Sequence, residues 1–155
     1  MEIRLAEKRD IPGMIALLHQ VGQVHYEIRP DIFCAGALKY DEAALEALLK
    51  ESDKPIFVAD EDGFIAGYCF CQIRDYTGST VQTARKELYI DDLCVDETRH
   101  RQGIASRLYR RACEYAREKN CAFVTLNVWT GNDGAQHFYE NMGMTPRSVT
   151  MEYKL

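Results

Sequence analysis

The chain has 155 residues, a formal net charge of −5, and a composition 46% apolar and 28% charged. That is ordinary for a globular domain, is incompatible with a chain that stays disordered, and reads as one domain over residues 1–155. No run approaches the ~20 apolar residues of a membrane span, Met1–Asp10 is charged from Glu2 onward where a signal peptide would be apolar, and the acidic balance disfavours a duplex-binding protein, so neither membrane nor nucleic acid is expected as a partner and a cytoplasmic location is.

Glu2 to Ala6 reads as a short strand. Asp10 is placed to cap a helix with Pro12 in its first turn, and Ile11, Met14, Ile15, Leu18 and Val21 follow at amphipathic spacing. Residues 22–40 are ambiguous: they hold Gly22, Pro30 and Gly36 beside His25, Tyr26, Phe33 and Tyr40. Asp41 caps a second helix with Ala44, Leu45, Leu48 and Leu49 on one face. Pro55–Ala59 and Phe64–Ile73 form a hairpin about Asp60-Glu61-Asp62-Gly63, in which Gly63 suits a positive φ. Asp75–Thr80 is a loop, and Lys86–Val95 is a further strand. A polar, basic connection over Asp96–Gln102 leads to a helix over Gly103–Glu118 with Ile104, Leu108, Ala112 and Tyr115 as its apolar stripe. Ala122–Trp129 is a strand. Asn132–Met142 is a helix ended by Gly143 as a left-handed C-cap. Val149–Lys154 is a last strand. The order β-α-α-β-β-β-α-β-α-β predicts an α/β domain with a mixed sheet.

Six cysteines without an export signal read as buried packing groups. Cys69 and Cys71 form the one close pair and share a strand face. Neither has the further ligands that a metal site needs, so no metal is expected.

Chemistry concentrates in two segments. In the first, strand 88–95 runs through Asp96-Glu97-Thr98-Arg99-His100-Arg101-Gln102 into Gly103 and a helix. A helix N-terminus offers unpaired N–H groups, Gly103 lets a ligand approach the backbone, and the three cationic residues flank it, which together suit a pyrophosphate. Neither the Walker loop nor the Gly-x-Gly-x-x-Gly dinucleotide fingerprint is present. In the second segment, Asn132, Ala135 and Tyr139 are spaced to share one helical face. The small Ala135 lets a ligand lie against it, with the Tyr139 hydroxyl on the same side.

Together these segments resemble the GNAT superfamily of N-acetyltransferases. Its Arg/Gln-x-x-Gly-x-Gly/Ala signature corresponds to His100-Arg101-Gln102-Gly103-Ile104-Ala105. Its Asn-x-x-Ala-x-x-x-Tyr-x-x-x-Gly-Phe signature corresponds to Asn132, Ala135, Tyr139 and Gly143, with Met144 in place of Phe. The resemblance implies a GNAT-like α/β fold, a twisted, mixed but mostly antiparallel sheet flanked by helices. It also implies acetyl-CoA as donor and a homodimer as the default assembly. The donor would be held by Leu93, Cys94 and Val95 on the fourth strand, by His100, Arg101, Gln102, Gly103, Ile104, Ala105 and Ser106, and by Asn132 and Tyr139. His100 departs from the signature; a neutral imidazole adds little charge, so donor affinity is expected to weaken from about pH 6 to 8 unless Arg99 and Arg101 compensate.

The resemblance also implies the roles. Tyr139 would protonate the leaving thiolate, and a backbone N–H around Leu93–Val95 would stabilise the carbonyl oxygen. Strand Leu88–Val95 looks similar to that of the diamine acetyltransferases, which makes Asp91 the candidate base through water. Simple alternation puts Asp91 on one face with Tyr89 and Leu93, and Asp92 on the other. His25, Tyr26 and Phe33 would line the acceptor site. The acidic net charge and the Asp pair favour a cationic acceptor such as an amino sugar, a polyamine or a lysine side chain. The leading reading is a small-molecule amine acetyltransferase. The alternatives are a protein N-terminal or lysine acetyltransferase and a non-catalytic acyl-CoA-binding module.

Overall fold

Short-range polar contacts fix the ends of several elements in the computed structural model, which describes residues 1–155. Strand β1 is Glu2–Leu5, and a 3-10 turn over Lys8–Asp10 leads into α1, Ile11–Ile28. Asp10 stands at the N-cap position but makes no side-chain cap to α1. Its carboxylate instead takes the Glu7 N–H at 2.7 Å and both terminal nitrogens of Arg4 at 2.7 and 2.8 Å. Helix α2 is Glu42–Leu48, and Asp41 caps it as expected, accepting from the Ala44 N–H at 2.8 Å.

Five strands form one sheet in the order β1-β2-β3-β4-β5, where β2 is Ile56–Glu61, β3 Phe64–Asp75, β4 Lys86–Val95 and β5 Phe123–Leu126. The first three pairings are antiparallel and β4–β5 is parallel. Alternation along the strands gives each face its own core. Phe57, Cys69, Cys71, Leu88 and Ile90 pack on Ile104, Leu108 and Ala112 of α3, which spans Ile104–Glu118. Val58, Tyr68, Phe70 and Cys94 pack on Met14, Leu17 and Leu18 of α1 and Leu45 of α2. Helix α4, Asp133–Asn141, follows β5 and has no fully buried residue. Asn132 caps it through the Ala135 N–H, and Gly143 follows with a φ of 93°. No helix is long and apolar enough to cross a membrane.

One irregularity positions the site. In the β3–β4 ladder Phe70 opposes Asp92 and Cys71 opposes Ile90, so Asp91 is an extra residue, a β-bulge. The β4–β5 ladder ends at Ile90↔Leu126, just before it. Beyond Ile90 the two parallel strands separate, and the far edge of β4 from Asp91 to Val95 has no strand partner.

Three expectations change. The ambiguous stretch 22–40 is helical as far as Ile28, because α1 continues through Gly22. Strand β5 is shorter than 122–129, because the bulge draws β4 away from its hydrogen-bonding groups. Residues 149–154 belong to no strand, and no backbone hydrogen bond joins residues 145–155 to the rest of the chain.

Candidate active site

The loop after β4 is built to present backbone donors. Asp96 opens a 3-10 turn over Glu97–Arg99 by accepting from the Thr98 N–H at 2.9 Å. Gln20 of α1 locks the same corner, donating to Asp96 at 2.9 Å and accepting from the Glu97 N–H at 3.1 Å. Arg101 and Gly103 both adopt left-handed φ values, 63° and 75°, and Gly103 is the N-cap of α3 without a side-chain cap. The N–H groups from Arg101 through Ser106 have no acceptor within the chain. A Cβ on Gly103 would meet no atom within 4 Å, so the space over this backbone is open. Free amides, a helix N-terminus and open space fit a pyrophosphate.

The cationic flank is thinner than the sequence suggests. Arg99 is committed to Glu61, with Nε 2.9 Å from Oε2, and lies over the Phe64 ring. The His100 ring is turned in, its Nε2 donating to the Val95 carbonyl at 2.9 Å. Of the two residues expected to compensate for His100, Arg99 is thus engaged with Glu61, and Arg101 alone has its charge unengaged by the chain. The backbone carries this site.

On β4 the bulge overturns the simple alternation. Leu93 still packs toward α3, with Leu88 and Ile90. Asp91 and Asp92 both face the α1 side. The Asp91 Oδ2 accepts from the Tyr40 hydroxyl at 2.6 Å and lies 3.0 Å from the Lys39 ammonium, while Oδ1 has no partner in the chain. Lys39 also donates to the Asp91 carbonyl at 3.2 Å. Asp92 accepts from the Tyr68 hydroxyl at 2.8 Å. Burial pushes the Asp92 carboxyl above its ordinary value, against the opposing pull of Tyr68, Lys39 and His25.

His25, on the last turn of α1, stacks on Phe33 with ring centroids 5.1 Å apart, and Phe33 meets Trp129 edge-on at 5.0 Å. These rings form a wall linking α1, the following loop and the chain beyond β5. Burial lowers the His25 imidazole below its usual value, against the charge of Asp92, so it is neutral at neutral pH. Tyr26 is half-buried on the same helix but makes none of these ring contacts.

Tyr139 on α4 packs against Tyr109 and Phe138, and its hydroxyl makes no hydrogen bond within the chain. Burial raises its hydroxyl well above the ordinary range, with Cys69 and Asp92 adding to the shift. It is therefore fully protonated at neutral pH and free to donate. Sequence reasoning misses Lys39, Tyr40, Tyr68 and Trp129 as neighbours of this site, and counts Asp92 only as one of an acidic pair facing the other way. The aromatic-rich segment ending Lys39-Tyr40 is the available signal for the first two. The bulge hides Asp92.

Residues 22–144 match the model of the acetyltransferase (GNAT) family. An uncharacterised N-acetyltransferase of Bacillus subtilis, YhfO, is 30% identical over 156 aligned residues, covering 100% of this chain and 97% of that protein. A second B. subtilis protein, provisionally named as the alanine N-acetyltransferase of ribosomal protein bS18, is 26% identical over 83% of this chain and 77% of its own. The crystal structure of a mutant of the BH1408 protein from Bacillus halodurans superposes with a TM-score of 0.95 at 30% identity, over 100% and 99% of the two chains. An aminoglycoside N-acetyltransferase solved with CoA shares the fold at a TM-score of 0.72 and 17% identity, over 99% and 98% of the chains. The free amides at Gly103, the parted β4 and β5 and the Asn132-to-Gly143 helix thus sit in a frame matched along its whole length, and the chain belongs to the GNAT family of acetyltransferases.

Proposed function

We propose that this protein transfers the acetyl group of acetyl-CoA to a primary amine of a small cationic molecule, of amino-sugar or polyamine type, by direct attack, and that it works as a homodimer in the cytoplasm. The observation that carries the reading is Lys39 on Asp91. An alkylammonium already sits 3.0 Å from a carboxylate at the bulge where β4 leaves β5. That is the environment an acceptor ammonium requires, beside the loop whose free amides suit the donor.

Bound acetyl-CoA supplies an activated thioester carbonyl. The amides from Arg101 to Ser106 hold its pyrophosphate, and Asn132 and the α4 face border its pantetheine. Around Leu93–Val95 a β4 N–H on the free edge donates to the carbonyl oxygen as charge gathers there. Asp91 is the base. Tyr40 and Lys39 fix Oδ2, which leaves Oδ1 to take the ammonium proton through a water, since an alkylammonium near pKa 10.4 is no nucleophile until it loses one. Tyr139 keeps its proton at neutral pH and gives it to the leaving sulfur. His25, Phe33 and Trp129 wall the acceptor.

A second reading has its own support. The relative named for the alanine N-terminus of a ribosomal protein makes a peptide α-amine an acceptor to be tested alongside. Release of free CoA thiol from acetyl-CoA, measured with an aminoglycoside, spermidine and an Ala-initiated peptide in parallel, separates the two. Turnover with either small amine supports the proposal, and turnover with the peptide alone replaces it. Binding of acetyl-CoA without thiol release from any amine would make the protein a binding module. Tyr139→Phe is expected to lower kcat by roughly 100-fold with little change in acetyl-CoA affinity.

A further inference from the structure

Two lysines of this chain pair with carboxylates that the proposed reaction does not use: Lys8 with Glu46 at 3.1 Å and Lys54 with Glu51 at 3.5 Å. Lys39 differs. Its Nζ lies 3.0 Å from Asp91 Oδ2, 3.2 Å from the Asp91 carbonyl and 5.6 Å from the centroid of the Tyr40 ring. A carboxylate, a carbonyl and an aromatic face are groups that recognise an alkylammonium. The chain thus fills its own ammonium seat.

The filling is loose. Lys39 lies on the connection between α1 and α2, outside any helix or strand. Tyr40 is the fixed point there, with its ring stacked on Phe70 at 5.5 Å and its hydroxyl on Asp91 at 2.6 Å. The Lys39 side chain is 44% exposed, and an ion pair so open to water is worth about 0–1 kcal/mol. The ammonium is therefore released readily, on a flexible four-carbon stem. Leu93, the first of the residues proposed to hold the thioester carbonyl, is two positions along β4 from Asp91. At the rise of a strand that is about 7 Å, within the sweep of the stem.

We infer that Lys39 is itself an acceptor: with acetyl-CoA bound and no amine at the site, the protein acetylates its own Lys39 Nζ. The inference rests on the proposed function, because it uses the same base, acid and carbonyl site. Nζ gives a first proton through water to Asp91 Oδ1, and its freed lone pair attacks the thioester carbonyl carbon. A C–N bond forms and the C–S bond breaks. Tyr139 protonates the departing sulfur. A second proton leaves nitrogen as the amide forms and restores Tyr139 through solvent, while Asp91 returns its own to water. The products are an acetylated lysine, the free CoA thiol and one proton, with nothing oxidised or reduced. The new amide is neutral and leaves Asp91 without a tethered cation. Tyr40 still holds Oδ2, so an incoming ammonium meets the carboxylate without a competitor present at an effective concentration on the order of millimolar.

The test incubates the full chain with acetyl-CoA and no amine. Intact mass and peptide mapping follow the acetyl group, and the thermal shift with acetyl-CoA reads the donor site apart from the chemistry. Expected is one acetyl group per chain, on Lys39, at a rate unchanged by protein dilution and roughly 10-fold or more above that of Lys8 or Lys54. Lys39→Arg should take up none there. Tyr139→Phe and Asp91→Asn should each slow the uptake roughly 100-fold while keeping the thermal shift. Uptake spread evenly over the surface lysines and indifferent to Tyr139→Phe would mean chemical acetylation, and a rate that rises with protein concentration would mean one molecule modifying another. Either overturns the inference, as does an unmodified Lys39 in a protein that releases CoA thiol with an added amine. An unmodified Lys39 together with no thiol release from any amine would overturn the transferase reading as well.

Discussion

Asp91 and Asp92 are adjacent, chemically identical and differently placed. Asp91 is partly open to solvent and has one oxygen without a partner, whereas Asp92 lies deeper, against Tyr68, with its carboxyl raised by burial. A raised native value means that the folded chain holds the Asp92 proton more tightly than the unfolded chain does. The associated stability is present in full below the unfolded value, about 3.9, and is lost as pH rises through the higher native one. Asp92→Asn removes that titration and keeps an acceptor for the Tyr68 hydroxyl. Melting temperatures measured across pH should show the variant matching wild type in acid and exceeding it at pH 7. Neither this difference nor the contact of Lys39 with Asp91 is visible in the sequence. The first depends on one extra residue in a ladder, and the second spans 52 positions, with α2, β2 and β3 between.

Elements with local signals are legible. Asp41 and Asn132 cap the helices that follow them, Gly143 closes α4, and the hairpin turn carries Gly63 at a positive φ of 94°. Features set by a neighbour are not. The length of β5 depends on where β4 bends away, and the bulge that bends it leaves the run Tyr89-Ile90-Asp91-Asp92-Leu93 looking regular. Residues 148–155 have a strand's alternation, but a strand also needs a second strand. The donor loop is legible in its glycine and misleading in its charges, since the partners of Arg99 and His100 lie outside the motif. This makes Gly103 the position to change. An alanine there incurs the left-handed penalty, about 1 kcal/mol, and puts a methyl in the space above the free amides. Gly103→Ala is expected to lower the melting temperature by a few degrees and raise the Kd for acetyl-CoA roughly 10-fold, as titration calorimetry would read. Arg101→Ala should matter less, because one screened surface charge is removed while the amides stay.

At the scale of the whole molecule, Arg4 ties together the first strand, the start of α1 and the β2–β3 turn, donating to Asp10 and to Asp60 at 2.8 Å. Burial pushes the Asp10 carboxyl up, but the Arg4 guanidinium and the Glu7 N–H outweigh it and hold the group below its usual value. Its stabilising share is therefore present above about pH 3.9 and lost as pH falls through the lower native value. Arg4→Met leaves Asp10, 4% exposed, without its counter-charge. With some solvent access at Arg4 the cost is about 2 kcal/mol at pH 7, or roughly 4–8 °C in Tm, and the gap to wild type should close on acidification. Helix α1 starts at this cluster, grips the donor loop through Gln20 and carries His25 in the acceptor wall five residues on. On the proposed function, one helix would therefore border both substrates. Whatever free energy passes along it is reciprocal: a donor that shifts Gln20 and changes acceptor affinity by some factor must find its own affinity changed by the same factor when the acceptor binds first. Such coupling favours neither order of arrival, and it would run through a single glutamine about a turn and a half of helix from the wall.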